Sequence, residues 1–585
     1  MPSGPHSRTV SLAATMLNLL FFLLIAAERT TSAEGDWWTS ASLYQIYPLS
    51  FKDSDGDGSG DLKGITSEVD YFSTLKVDAV WLSPIYESPF EDGGYDVSNF
   101  TKVHPKFGTL EDFTEMVEAF HKKGIKVLLD FVPNHTSDRH PWFQDSLRKI
   151  NGKDDFYVWA NMSTFQTKPL PPTNWKSLLY NGKEPAWTYV KERAMFYLHQ
   201  FGEFQPDLNY KNPAVVDEMK DVLKFWLNKG VDGFRVDAAP FLVEGSLLDE
   251  PKLPNCPDER YSCYNHTYTM NQNKTFSVLK QFEDVLEEAS KTGSQKVMFV
   301  EAYTDVNNTM RYYGKRTVPF NFFLITHLRK DSNATAFAKA INQWMDNLPK
   351  NHPPNWVLGN HDVNRVASRL GKDMINLMNM LVLLLPGTSV TYYGEEIGMV
   401  NSDVKNINDS VAFDSRDGER TPFQWNNRTN AGFSNASHTW LPVNQDYYEI
   451  NVESERSSTN SYLNFYQKLK EFRKTEMADK NWKGAMNISD YVLAVRRDNM
   501  VMVLNLDNQN QKVDLTKLNL GSGTVGHMKL STYNLAFEKE TEIDFSKPID
   551  LQAKAGFVMQ VPSGAATYFA SLSLFIACLF FSLRS

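Results

Sequence analysis

The amino-acid sequence predicts an α/β fold, a (β/α)8 TIM barrel with an inserted subdomain after its third strand and a C-terminal antiparallel β domain. Three observations predict it. Between Ser42 and Gly398, short β-branched or aromatic runs alternate with longer amphipathic ones, the pattern of parallel βα units. The strand-like runs number eight, which closes naturally into a barrel whose active site gathers at the carboxyl ends of the strands. The alternation fails from Asn134 to about Tyr210 and gives way to a different pattern after Lys483.

The strands are expected at LYQIYPLSF (43–51), AVWLSP (79–84), VLLDFV (127–132), GFRVDA (233–238), VMFVEA (297–302), FNFFLI (320–325), WVLGN (356–360) and SVTYYG (389–394). They divide the barrel into segments 34–133 and 211–482. The Trp-, Pro- and Asn-rich stretch 134–210 is too long for a structureless loop and is expected to form a subdomain over the barrel mouth. From 483 to 562, runs such as YVLAVRR and MVMVLNL alternate with period two, which predicts a small antiparallel β domain.

A net charge of −10 argues against a nucleic-acid partner, because phosphate binding needs a basic surface. Residues 1–33 carry His6 and Arg8, an apolar run around Leu17–Ala27 and then Thr31-Ser32-Ala33, the layout of a cleavable secretory signal. The N-x-S/T sequons agree with that route: Asn99, Asn161, Asn265, Asn273, Asn307, Asn333, Asn408, Asn427, Asn435 and Asn487 are glycosylation candidates. With three cysteines, disulfides are not the main scaffold, and Cys256 and Cys263 are expected to pair in an oxidising compartment. Small residues at Ser563-Gly564-Ala565-Ala566, then an apolar tail to Leu583, resemble a glycosylphosphatidylinositol (GPI) anchor signal. Ser563 or Gly564 is the attachment candidate, and 563–585 is removed on attachment. The alternative is a retained tail anchor. The chain is thus expected on the extracellular face of the plasma membrane.

Acids mark the ends of the predicted strands. Asp130 ends the third, Arg235 and Asp237 the fourth, Glu301 the fifth, and His361 and Asp362 follow the seventh. Carboxylates in apolar strands are costly unless they are hydrogen-bonded or used, and in a barrel these ends converge. Paired acids flanking a bond are what glycoside cleavage requires, one attacking and one donating a proton. Arg235 shares a strand face with Asp237 and can hold it ionised. Glu301 closes the apolar run VMFVE, which raises its pKa toward that of a general acid.

The segments DFVPNHTS (130–137), QPDLNY (205–210), GFRVDAAPF (233–241), FVEAY (299–303) and GNHDVNR (359–365) resemble, in order, the sequence blocks of the α-amylase family of glycoside hydrolases. QPDLN and RDGERTPFQW (416–425) are similar to its oligo-1,6-glucosidase and maltase branch, with the character of insect maltases. The resemblance implies Asp237 as nucleophile, Glu301 as acid/base and Asp362 as a third carboxylate gripping the sugar. His135, His361 and Arg235 would bind the glucose at the cleavage point. In GGYDVSNF, with Tyr95 also lining the site, Asp96 would hold the non-reducing end opposite Arg420, or Arg416 of the same block. A pocket closed in that way makes the enzyme exo-acting. Ala238, small and directly after the nucleophile, implies α-1,4 preference, hence maltose, sucrose and short maltodextrins as substrates.

The loop DSDGDGSGD (53–61) spaces oxygen ligands on alternate residues with glycines for curvature, which suits a hard cation. It is no EF-hand, since the twelfth position is Gly64. The resemblance implies structural Ca²⁺, or Mg²⁺, bound by Asp53, Asp55, Asp57, the carbonyl of Ser59, and Asp61. A transglycosidase or sucrose isomerase would share every one of these motifs. A homodimer, and a receptor role for another protein on the same scaffold, are compatible with the sequence.

Overall fold

The computed structural model describes residues 36–161, 169–179, 182–404, 414–520, 525–535 and 538–562. The expected signal, the sequon at Asn408, and Ser563, Gly564 and the tail lie outside the described residues. Eight parallel strands form one curled sheet: Ser42–Ile46, Ala79–Leu82, Lys126–Phe131, Gly233–Val236, Val297–Val300, Thr317–Pro319, Asn355–Val357 and Thr388–Tyr392. Numbered one to eight along the chain, they lie in the order six, five, four, three, two, one, eight, seven.

The seam between strands six and seven is closed by a side chain. Pro319 has no N–H to offer, and Asn355 supplies the link: its Nδ2 donates to Pro319 O at 2.7 Å and its Oδ1 accepts from Asn321 N at 2.7 Å. Alternation then sorts the strand residues. Leu43, Trp81, Leu128, Val297, Phe299, Val357 and Val390 pack together inside the barrel. Tyr44, Val80, Leu129, Phe234, Val300 and Trp356 face the helical layer. The same period carries Asp130, Arg235, Asp237 and Glu301 onto the inner face at the top.

One strand falls elsewhere than the sequence suggests. FNFFLI (320–325) is not the sixth strand; that strand is Thr317–Pro319, and Phe323–Thr326 is a helical turn. Asn321 Oδ1 accepts from Phe323 N at 3.1 Å, a local bond that competes with the ladder and starts the turn. The first strand likewise stops at Ile46, because Pro48 opens a short helix to Phe51.

After strand three, the helix Pro141–Arg148 and a three-stranded antiparallel sheet (Trp159–Asn161, Trp187–Val190, Met195–Leu198) enclose a small core around Trp175, Trp187 and Phe196. At the C-terminus a six-stranded antiparallel sheet begins at Trp482, with a core of its own around Val501, Val503 and Phe557. It docks on the barrel through Arg497 Nη1 to Leu384 O (2.9 Å) and Asn342 Nδ2 to Ala485 O (2.8 Å). Cys256 and Cys263 are joined as a disulfide. Among the described sequons, Asn161, Asn265, Asn273, Asn307, Asn427, Asn435 and Asn487 are exposed, and Asn99 and Asn333 half-buried. No described helix is long and apolar enough to cross a membrane.

Candidate active site

Arg235, 2% exposed, organises the barrel mouth. Its Nη1 reaches Asp130 Oδ1 at 2.8 Å and Asp237 Oδ1 at 2.6 Å, and its Nη2 reaches Glu301 Oε2 at 2.7 Å. Both catalytic candidates extend the sheet's own ladder, with Asp237 N donating to Phe131 O (2.8 Å) and Glu301 N to Val236 O (2.9 Å). Asp130 is locked further by Tyr95 OH at 2.9 Å and Trp81 Nε1 at 3.2 Å. Ala238 sits at φ +48°, a left-handed conformation that costs a non-glycine residue about 1 kcal/mol and turns its N–H onto Glu301 Oε2 at 3.0 Å. Glu301 Oε2 and Asp237 Oδ1 are thereby occupied. The two carboxyls also lie within hydrogen-bonding reach of each other.

Burial pushes both carboxyls up, against the pull of Arg235: Asp237 to about 7 and Glu301 to about 8, each also raised by the other acids nearby. Burial and the neighbouring acids thus favour a proton retained within this pair. Asp362 is driven the other way. Burial alone would raise it, but His361, Arg416, Arg420 and Arg235 outweigh that and hold it well below the usual carboxylate range. His361 Nε2 lies 3.3 Å from Asp362 Oδ2, and its ring stacks flat on Tyr95 with centroids 5.1 Å apart. Burial lowers both imidazoles, His361 against the upward pull of Asp362, and His135 to about 4.

The far wall departs from expectation. Asp96 is fully buried and accepts from Ser88 Oγ, Glu91 N and Asp92 N, so it pins the turn 88–92 and has no face for a sugar. Arg420 stands behind the site, its Nε on His361 O (2.7 Å) and its Nη2 on Asp362 Oδ1 (3.1 Å). The acid and arginine that face each other are Asp92 and Arg416, 2.6 Å apart, with Arg416 Nη1 also 3.2 Å from Asp362 Oδ1. Gly93 and Gly94, both at positive φ (+57° and +101°), turn the chain between Asp92 and Asp96 and send the two acids different ways. Sequence reading missed Asp92, although it lies in the same block, and also Gln205, which joins Asp92 Oδ2 (2.9 Å) to His135 Nε2 (3.2 Å).

In the loop after strand one, oxygens of Asp53, Asp55 and Asp61 lie within 4.8 Å of one another. Among the described residues none of the three makes an ion pair with a lysine or arginine, so the donor set fits a hard cation. Backbone amides shape the loop: Gly56 and Gly58 N donate to Asp53, and Ser54 and Gly64 N to Asp61. Gly58 is at φ +93°, and a Cβ there would meet His438 O at 2.4 Å. Asp57 stands outside the trio, with its Oδ1 accepting from Ser59 N at 2.7 Å.

Comparison with known proteins agrees with this architecture. An "Alpha-glucosidase" of Apis mellifera is 43% identical over 496 residues, 82% of this chain and 86% of its own. "Maltase A2" of Drosophila melanogaster is 46% identical over 473 residues, 78% of this chain and 82% of its own. The solved structure of the α-glucosyl transfer enzyme XgtA superposes with a TM-score of 0.79 at 29% identity, covering 90% of this chain and 99% of that one. Residues 45–481 match the alpha amylase catalytic domain, and the chain belongs to the α-amylase family of glycoside hydrolases.

Proposed function

We propose that the protein is a retaining exo-acting α-glucosidase that releases terminal glucose from maltose, sucrose and short maltodextrins. The observation that carries this reading is the grip of one guanidinium on both Asp237 and Glu301 through adjacent nitrogens. A shared guanidinium holds the two carboxyls close together, in keeping with the roughly 5–5.5 Å separation of retaining enzymes and against the wider gap that admits an inverting water. Asp237 Oδ2 attacks the anomeric carbon while the Glu301 proton passes to the leaving oxygen. Glu301, now ionised, takes a proton from water, which displaces Asp237 from the glucosyl carbon. Asp362, kept anionic, grips the sugar hydroxyls, and the Asp92–Arg416 pair closes the non-reducing end. Tyr95, His135 and His361 line the remainder.

The acidic loop would hold Ca²⁺ through Asp53, Asp55 and Asp61, joined by the carbonyl of Ser59, and the ion would stiffen the loop that Ser434 Oγ ties to Asp53 (2.5 Å). The exposed sequons and the disulfide support a secreted glycoprotein, and the small residues and apolar run of 563–585 support a GPI anchor. Phospholipase release from membranes tests the anchor.

Glucose release from maltose tests the activity. Asp237→Asn and Glu301→Gln are each expected to lower kcat/KM by at least about 10³-fold, and full activity in either sinks the assignment. The likeness to a transfer enzyme favours transglycosylation as the second reading. New oligosaccharides at high sucrose would identify it.

A further inference from the structure

Gln45, fully buried on strand one, reaches Asp362 through a single imidazole. Its amide Nε2 lies 2.9 Å from His361 Nδ1, and the other nitrogen of that ring lies 3.3 Å from Asp362 Oδ2. Both sides of the contact are fixed. Gln45 pairs with Trp81 on strand two and Tyr392 on strand eight, and its carbonyl accepts from Tyr393 N at 3.0 Å. The His361 ring is stacked on Tyr95 and flanked by Tyr47 and Trp81.

These contacts decide which ring nitrogen carries the proton. Burial drives the His361 pKa well down, with Asp362 opposing it and Arg420, Arg235 and Arg416 adding to it, so one nitrogen is left bare. Burial also keeps the adjoining Tyr47 and Tyr95 hydroxyls protonated. A proton on Nδ1 would turn the Nε2 lone pair onto an ionised carboxylate. A proton on Nε2 makes that contact a charge-assisted hydrogen bond, and Nδ1 then needs a donor. Gln45 supplies it, with its amide nitrogen also donating to Ser83 Oγ at 3.2 Å and its Oε1 buried without a hydrogen-bond partner. Turned over, the amide would satisfy that oxygen with the Ser83 hydroxyl, yet it would set an acceptor against Nδ1 and draw the proton away from Asp362. The charge on Asp362, relayed through the ring, outweighs the orphaned oxygen. Arg416 and Arg420 both lie on Asp362 Oδ1, which leaves Oδ2 to the histidine.

We propose that Gln45 is a positioning residue for the reaction: it fixes the His361 proton on Nε2, which holds Asp362 Oδ2 and aims that carboxylate at the sugar hydroxyls. The kinetic consequence rests on the α-glucosidase reading above; the place of the proton does not. The test is nitrogen NMR of protein labelled with ¹⁵N-histidine, the His361 signals being those lost in His361→Gln. In the wild type, Nδ1 is expected to resonate as a bare nitrogen and Nε2 as a protonated one. In Gln45→Glu the new carboxylate draws a proton onto Nδ1, and kcat/KM on maltose is expected to fall about 10²-fold, mostly in kcat. Gln45→Met keeps the volume without the donor, and there a mixture of both tautomers and a fall of about tenfold are expected, which keeps the test open should the glutamate variant not fold. A filling role alone would move Tm and leave the ring signals as they are. A proton on Nδ1 in the wild type, ring signals that neither variant moves, or full activity in a variant whose tautomer has changed overturns the proposal. Absence of glucose from maltose in the wild type removes the α-glucosidase reading, while the spectrum still places the proton.

Discussion

Acidic side chains crowd two regions of this molecule, the barrel mouth and the loop 53–61, and each region answers the repulsion differently. At the mouth, Asp130, Asp237 and Glu301 arrive from three strands and meet one buried guanidinium. In the loop, Asp53, Asp55 and Asp61 come from nine consecutive residues and meet backbone amides, with no cationic side chain among the described residues. The fold therefore builds the counter-charge into the mouth, where the acids must keep a fixed geometry for chemistry. The loop has no such counter-charge built onto its acids, and the proposed cation would supply it and stiffen the loop.

Arg235→Lys is the strongest way to break the comparison. An ammonium cannot grip two carboxylates through a fork, and three buried acids lose their shared partner. A loss of about 3–5 kcal/mol in stability is expected, with kcat/KM on maltose down at least about 10³-fold. Activity within tenfold of wild type would show that the guanidinium is not what fixes the acids.

The next test separates acids within one block. Asp92→Asn is expected to reduce kcat/KM by about 10²-fold with little change in Tm, because it removes the partner of Arg416 at the closed end. Asp96→Asn should do the reverse, costing about 1–2 kcal/mol of stability for a buried turn anchor while sparing kinetics. If the two variants exchange phenotypes, Asp96 faces the sugar after all.

Chelation addresses the other region. Removing a bound ion is expected to lower Tm, by about 2.7 kcal/mol of stability for a loop held at a hundred times its Kd, and to leave kcat at 25 °C unchanged. Asp53→Asn should reproduce that shift and make Tm indifferent to calcium. A chelator that stopped turnover without moving Tm would put the metal in the chemistry and erase the contrast.

These regions also differ in how legible they were. The strand-end acids were readable because period-two alternation and barrel closure leave one place for Asp237, Glu301 and Asp362 to meet. The loop was readable from spacing, yet spacing does not fix how closely the acids approach, and Asp57 lies outside the trio whose oxygens gather within 4.8 Å. Asp96 misled for the same reason. Two positive-φ glycines redirect the chain, and a direction set by backbone dihedrals has no trace in residue order. The sixth strand was displaced because a single Asn side chain outcompeted the ladder at Phe323.

A third group of acids, a pair, uses neither solution, and it gives the mildest test. Asp207 and Glu244 are both buried, bridged by Gln200 Nε2 at 2.8 and 3.4 Å, and neither forms an ion pair among the described residues. Burial raises them to about 7 and about 8, Glu244 being raised also by Asp207, so a retained proton takes the place of a counter-ion. The sign follows from linkage. Below about pH 4.5 both the folded and unfolded chains hold the protons; between there and pH 8 only the folded chain does, so stability falls as pH rises. Glu244→Gln keeps the shape and removes the proton from the account, so its Tm relative to wild type should climb by about 1–3 °C from pH 5 to pH 8. A constant offset across that range would mean that the pair ionises freely where it sits, and that burial without a cation is tolerated here by some other means.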